Sequence, residues 1–156
     1  SERAGGAEGV LFSKPWASNG ALPALFTPYV HDTQLQQRCI SVCPCLHVGG
    51  FSRGDGSPIH PERQGTYLGL IDAIPHLQQL GITTVELLPV MAFDPHDAPP
   101  GRLNYWGYSP ISWMAPHHGY QQGDDPLQIR QQVRQLVTAC HRAGLEVLVD
   151  VVYNHT

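Results

Sequence analysis

Near its C-terminal end the chain reads Glu146-Val147-Leu148-Val149-Asp150-Val151-Val152, followed by Tyr153-Asn154-His155-Thr156. The nearly continuous apolar run predicts a strand that is buried on both faces of a parallel sheet. Burying the Asp150 carboxylate costs free energy unless a partner satisfies it. Sites in parallel α/β folds form outside the carboxyl ends of the strands. The segment therefore predicts either a site at this strand end or a strand that runs into a solvated polar loop.

The sequence before this strand predicts the element order β-α-β-α-β. The predicted elements are a strand at residues 46–51, a helix at 66–80, a strand at 82–90 and a helix at 126–143. The helices carry apolar residues on one face, whereas the second strand is rich in β-branched residues. Alternation of this kind predicts a parallel sheet with right-handed crossovers.

The predicted helix ends depend on a few residues. Thr66 is the expected N-cap of the first helix, Gly81 its expected stop, and Pro75 an expected kink. Asp125 is the expected cap of the second helix, which Gly144 ends. The loop at residues 91–125 is long, whereas the helix-to-strand turns are minimal. In (β/α)8 barrels the long βα loops build the site.

Composition excludes several classes of function. The chain has 156 residues, 42% of them hydrophobic, and a net charge of −4, which argues against binding to nucleic acid or an anionic membrane. No apolar run approaches the ~20 residues of a membrane span. The N-terminal residues do not resemble a signal peptide, so a cytoplasmic protein is expected. Residues 1–45 show no persistent period and are interpreted as an irregular segment or linker.

The cluster of cysteines suggests an alternative hypothesis, a metal-binding site. Cys39, Cys43 and Cys45 lie close to His47, and three thiols with an imidazole could bind zinc. A structural zinc site usually has a second ligand cluster, which this run lacks, so no metal is predicted. Cys140 lies at helical spacing among apolar residues and is expected to be buried.

A second segment carries unusual chemistry. The aromatic loop, residues 104–109, reads Asn104-Tyr105-Trp106-Gly107-Tyr108-Ser109 and has three aromatics within four residues. Aromatic faces next to polar groups suit stacking on sugar rings. The alternative is that Trp106 and Tyr108 only pack the loop onto the rim of the fold. Trp113, His117, His118 and Tyr120 continue the polar and aromatic character downstream.

These motifs together resemble the α-amylase superfamily, in its isoamylase and glycogen-debranching branch. Asp150-Val151-Val152-Tyr153-Asn154-His155 is similar to the motif that ends the third barrel strand, and the aromatic loop is similar to the loop after the second. The segments at 46–51, 65–67 and 80–90 fit the same branch in the same order. The branch usually has Tyr-Glu-x-His-Val on the first strand, where this chain has Pro44-Cys45-Leu46-His47-Val48.

The resemblance implies a fold and roles for particular residues. Residues 46–156 would be the first part of the catalytic domain, about three βα units of a (β/α)8 TIM barrel. Tyr108 would stack under the sugar at the cleavage subsite, and Asp150 and His155 would shape that subsite, with His155 bonded to a sugar hydroxyl. Trp106 and Asn154 are also predicted to bind substrate. Asn154 matches a calcium ligand of many α-amylases, but debranching members often lack that ion, so neither calcium nor a cofactor is expected.

The resemblance also implies an activity. The parent protein is expected to hydrolyse α-1,6 branch linkages of glycogen or a related α-glucan by the retaining mechanism, which uses two carboxyl groups ~5 Å apart. In this family the catalytic carboxylates follow later strands, so the chain alone is expected to be inactive. Two alternatives stay open: an α-1,4-acting or transferring relative, such as a trehalose-releasing hydrolase or branching enzyme, and a non-catalytic α-glucan-binding protein.

Overall fold

Three parallel strands form the main sheet, and helices pack against it. The computed structural model describes residues 44–153. In the main sheet the strand order is β1-β2-β5, and both pairings are parallel. This confirms the predicted β-α-β-α-β order of the parallel sheet.

The elements have short bounds. In chain order they are β1 (Cys45–Leu46), α1 (Val48–Phe51), the 3-10 helix η1 (Pro61–Arg63), α2 (Tyr67–Asp72), α3 (Ile74–Gln79), β2 (Thr84–Leu87), β3 (Met91–Phe93), β4 (Pro110–Pro116), the 3-10 helix η2 (His118–Tyr120), α4 (Ile129–Arg142) and β5 (Glu146–Val149). No helix within residues 44–153 is long and apolar enough to cross a membrane.

The core lies between the sheet and helices α2, α3 and α4. Side chains that are at most 4% exposed come from both the strands and the helices: Leu46, Tyr67, Leu70, Leu77, Val85, Leu87, Leu136 and Cys140. The predicted apolar helix faces are therefore confirmed, as is the burial of Cys140. Removal of this apolar surface from water is the main stabilising contribution to the fold.

The helix ends agree with prediction at three points and differ at one. The Thr66 hydroxyl accepts a hydrogen bond from the Gly69 amide at 3.0 Å, as an N-cap does. Gly81 and Gly144 have φ of +74° and +77°, which suits a helix stop. The prediction for Asp125 was wrong: its carboxylate accepts from the amide of Leu127 in a turn, and α4 begins only at Ile129.

Other boundaries also differ from prediction. The helix predicted at 66–80 is two helices that meet at Ala73, because Pro75 has no amide hydrogen for a helical bond. The strand predicted at 46–51 is only β1, and Val48–Phe51 is a helical turn. The predicted loop at 91–125 contains an antiparallel pair, β3 and β4, whose pairing shifts register twice.

The strand at the end of the described residues is less buried than predicted. β5 covers Glu146–Val149 instead of 146–152, and Leu148 and Val149 are 52% and 42% exposed. Among the described residues β5 pairs only with β2, so one edge has no neighbour. An apolar run indicates which surface a strand can bury, but burial depends on the elements that cover it.

Candidate functional site at the strand ends

The aromatic loop and the end of β5 meet in a hydrogen bond. The Tyr108 hydroxyl donates to the Asp150 carboxylate at 2.5 Å, across 42 residues of sequence. Partial burial, and then the neighbouring Asp150 carboxylate, raise the pKa of Tyr108, so its hydroxyl stays protonated and can donate. This hydrogen bond gives the Asp150 carboxylate a partner, which offsets part of the free-energy cost of burying it.

The neighbouring strands place further polar groups at the same edge. Asp150 follows β5, and its amide donates to the carbonyl of Leu87 at the end of β2. Glu86 in β2 accepts a hydrogen bond from the thiol of Cys45 in β1 at 3.3 Å. Both Cys45 and Glu86 lie close enough to raise the pKa of Tyr108. Groups from all three parallel strands therefore surround Tyr108, as expected for a site at the carboxyl ends of a sheet.

Local hydrogen bonds fix the shape of the aromatic loop. The side-chain oxygen of Asn104 accepts from the amide of Gly107 at 3.1 Å, which closes a turn around Tyr105 and Trp106. The Ser109 hydroxyl donates to Asp97 at 2.7 Å and ties the end of the loop to the segment before it. These bonds present the loop as a defined surface.

Gly107 is the point where the loop touches the body of the protein. Its φ is +75°, a conformation that L side chains rarely adopt. A Cβ atom at this position would lie 2.7 Å from two ring carbons of Phe93. Glycine is therefore required both by the backbone conformation and by the close approach to Phe93.

A buried layer of aromatic and imidazole rings supports the loop. The His47 ring stacks on Tyr105 with centroids 4.0 Å apart and planes 12° apart. The His117 ring stacks on Phe93 at 3.8 Å, and Tyr120 packs edge-on against both imidazoles. This support layer, defined as His47, Phe93, His117 and Tyr120, lies under the exposed aromatics.

Burial favours the neutral form of the two imidazoles in the support layer. Burial lowers the pKa of His47, and Arg53 lowers it further, against the opposing effect of the Tyr105 carbonyl. Burial, and then His118 and His47, lower the pKa of His117 to about 4. Neutral rings can stack on aromatic neighbours here without burying an unpaired charge.

The residues predicted from sequence divide into three groups. Tyr108 and Asp150 are in direct contact, and the side chains of Trp106 and Tyr108 are each 40% exposed. Asn154 and His155 lie outside the described residues. His117 and Tyr120, which the sequence suggested as a continuation of the polar surface, are buried below it instead. Sequence reasoning did not identify His47 as support for the loop, because the contact joins residues 58 positions apart.

Of the four residues in the zinc alternative, only Cys45 and His47 are among the described residues. Cys39 and Cys43 lie outside the described residues. The Cys45 thiol bonds to Glu86, and His47 bonds to the aromatic loop. Within residues 44–153 no group of three His, Cys, Asp or Glu side chains could hold a metal ion.

A separate open groove of about 830 Å³ lies between α3 and α4. Its walls include Ile74, Gln135 and Ala139, and no residue predicted for the site lines it. The groove and the polar groups at the strand ends are therefore formed by different residues.

The parallel sheet, with an aromatic loop and a carboxylate at its strand ends, is typical of α/β proteins that bind ligands at the carboxyl ends of their strands. Comparison with known families identifies the family. The model described as "Alpha amylase, catalytic domain" matches residues 46–156. The chain belongs to the α-amylase family.

Particular relatives narrow the comparison. The chain is 42% identical over 121 residues to isoamylase 3, chloroplastic, of Oryza sativa subsp. japonica, a match that covers 71% of this chain and 15% of the relative. It is 42% identical over 114 residues to the glycogen debranching enzyme of Yersinia pestis bv. Antiqua, covering 70% of this chain and 17% of that protein. The pullulanase from Bacillus acidopullulyticus superposes with a TM-score of 0.61 at 29% identity, covering 74% and 15% of the two chains.

The chain thus spans about one sixth of the length of these relatives. These relatives confirm the predicted resemblance to the isoamylase and glycogen-debranching branch of the α-amylase superfamily. The structural match confirms the α/β fold class over the covered part.

Proposed function

We propose that the full protein is a glycosidase that hydrolyses α-1,6 branch linkages of glycogen or a related α-glucan, with retention of configuration. Residues 46–156 would form the first three βα units of its (β/α)8 barrel, and residues 1–45 a separate N-terminal segment. The catalytic carboxylates would follow later strands, so residues 1–156 alone would be inactive. The observation that carries the proposal is the hydrogen bond of Tyr108 to Asp150 at the edge of an exposed aromatic loop.

The geometry supports a sugar subsite at this place. The exposed part of the Tyr108 ring offers an apolar face on which a glucose ring can stack, next to Trp106. The hydrogen bond to Asp150 fixes the ring before substrate arrives, so less conformational entropy is lost on binding. Asp150 is half-buried and can accept a second hydrogen bond from a sugar hydroxyl. His155 and Asn154 would complete the subsite beyond the described residues.

The decisive experiment uses the full-length protein and two substrates, a branched and a linear α-1,4-glucan. Wild type is expected to release linear oligosaccharides from the branched glucan, with the new reducing ends in the α configuration by NMR. Cleavage of the linear glucan or transfer of chains would instead favour the α-1,4-acting or transferring relative. Binding of either glucan without cleavage would favour the non-catalytic alternative.

Three variants test the site itself. Tyr108→Phe removes the bond to a charged acceptor, worth about 1.5–3 kcal/mol, and is expected to lower kcat/KM about 10- to 100-fold. Tyr108→Ala also removes the ring and should lose more. Leu127→Ala removes an apolar side chain that is 78% exposed in the turn before α4, outside the aromatic loop and the strand ends, and should retain activity within about threefold. Equal losses in Tyr108→Ala and Leu127→Ala would refute the assignment of the subsite.

A further inference from the structure

We propose that His47 is a positioning residue that fastens the aromatic loop to the end of β1 and thereby holds Tyr108 in place. The inference rests on the proposed function for its effect on catalysis, but the fastening itself is independent of any activity. His47 is not expected to contact substrate. It acts through the backbone and ring of Tyr105, three residues before Tyr108.

Three contacts join His47 to the loop. Its Nε2 atom lies 2.7 Å from the carbonyl oxygen of Tyr105. Its ring stacks on the Tyr105 ring at 4.0 Å and meets Trp106 edge-on at 6.1 Å. The side chain is only 7% exposed, so water cannot readily replace these contacts. One residue from the first strand segment therefore holds the turn of the loop by both a hydrogen bond and stacking.

The hydrogen bond determines the tautomer of His47. A carbonyl oxygen can only accept, so Nε2 carries the proton and donates it to Tyr105. The Nδ1 atom is then unprotonated, and it is buried without a hydrogen-bond partner. Protonation at Nδ1 would place an N–H group where no acceptor lies. The Tyr120 hydroxyl oxygen lies 3.1 Å from the same Nε2 atom, so as an acceptor it can share the Nε2 proton with the Tyr105 carbonyl.

The unpartnered Nδ1 separates positioning from simple packing. A buried polar atom without a partner costs free energy, and a phenylalanine of similar size would avoid that cost. Phenylalanine could also stack on Tyr105. The contacts that it could not make are those of Nε2 with the Tyr105 carbonyl at 2.7 Å and with the Tyr120 hydroxyl at 3.1 Å. The shorter of these joins His47 to the aromatic loop across 58 residues, and the Tyr120→Phe variant below separates it from the other.

The test separates the bond from the ring in the full-length protein. His47→Phe keeps a ring against Tyr105 but has no donor. His47→Gln loses the ring but can place an amide N–H near the position of Nε2. We expect His47→Phe to raise amide exchange in a peptide spanning residues 103–110 about tenfold, since the part-buried Tyr105 carbonyl loses its partner. We expect His47→Gln to restore protection to within about threefold of wild type.

Two controls make the readout specific. Tyr120→Phe removes the other oxygen near Nε2 and leaves the Tyr105 bond, so exchange in residues 103–110 should change less than threefold. Residues of α4 make none of these contacts with His47. Peptides from α4 should therefore exchange at the same rate in all variants. On branched glucan, His47→Phe should lower kcat about tenfold with little change in KM, and His47→Gln should recover most of it.

The possible results are distinguishable. Exchange at residues 103–110 that is unchanged in His47→Phe would overturn the positioning role. So would equal damage in His47→Phe and His47→Gln spread over the whole protein, which would indicate packing alone. If wild type cleaves no glucan while the exchange results hold, the proposed function fails and the fastening of the loop stands.

Discussion

Replacement of Gly107 by alanine tests the physical account of the aromatic loop most directly. The chain provides a matched control in Gly101, which lies earlier in the same connection. Both residues have positive φ, +75° at Gly107 and +80° at Gly101. A Cβ at Gly101 would meet no atom within 4 Å, whereas at Gly107 it would lie 2.7 Å from the Phe93 ring. The two substitutions share the backbone strain and differ in the steric contact.

The expected magnitudes follow from these distances. Alanine in the left-handed region costs about 1–2 kcal/mol, and this cost is common to both variants. Carbon atoms pack best at about 3.5–4.0 Å, so the new methyl group and Phe93 must separate by roughly 1 Å. Phe93 is 3% exposed and stacked on His117, so its ring cannot move alone. Overpacking of this kind costs about 1–3 kcal/mol, and this is the expected difference between the variants.

Amide exchange of a peptide spanning residues 100–110, which contains both positions, measures this difference, because about 1.4 kcal/mol corresponds to a factor of ten. Gly107→Ala should lose about 10- to 100-fold more protection than Gly101→Ala. On branched glucan the same variant should lose at least tenfold in kcat/KM, because Tyr108 is the next residue, while Gly101→Ala stays near wild type. Equal behaviour of the two variants in both assays would refute the claim that contact with Phe93 sets the loop.

Two further predictions concern the body of the fold. Thr66→Ala removes the N-cap of α2 and should lower the stability of this helix by about 1 kcal/mol, measured as faster amide exchange of residues 67–72. The control variant Thr138→Ala, on the exposed side of α4, should leave the exchange of residues 67–72 unchanged. His117 has a folded pKa of about 4, below its ordinary value of 6.5, so the unfolded chain binds its proton first as pH falls. The contribution of His117 to the free energy of unfolding is complete above pH 6.5 and falls by about 3 kcal/mol between pH 6.5 and 4. Urea titrations should therefore show that the free energy of unfolding depends less on pH in His117→Phe than in wild type. The same pH dependence in both proteins would contradict this.

The sequence predicted well those features that depend on neighbouring residues. Thr66, Gly81 and Gly144 act through bonds or dihedral angles within a few positions, and each was placed correctly. Asp125 shows the limit of such rules, because a carboxylate can accept from an amide two residues ahead in a turn as well as at a helix start. The residue type was informative, but the choice between the two geometries was made by the surrounding structure.

Features that depend on distant residues were predicted less well. The β3 and β4 pair joins segments separated by the aromatic loop, with register shifts and prolines that hide the alternation of a strand. The exposure of Leu148 and Val149 in β5 depends on which elements cover the strand, and the apolar run carries no information about that. The contact of Tyr108 with Asp150 is consistent with the subsite that the family resemblance implied for both residues.

The support layer explains why a loop can present three aromatic side chains to solvent in a fixed arrangement. Exposed aromatic surface would ordinarily drive a flexible loop to fold back on itself and bury its rings. Here the turn is held from one side by the His47 bond to Tyr105 and from the other by the contact of Gly107 with Phe93. Both constraints act on the same few residues, so their energetic effects should not be independent. The position of Tyr108 is therefore set by residues outside the proposed subsite, and changes in the buried layer would alter that proposed subsite without altering its exposed side chains.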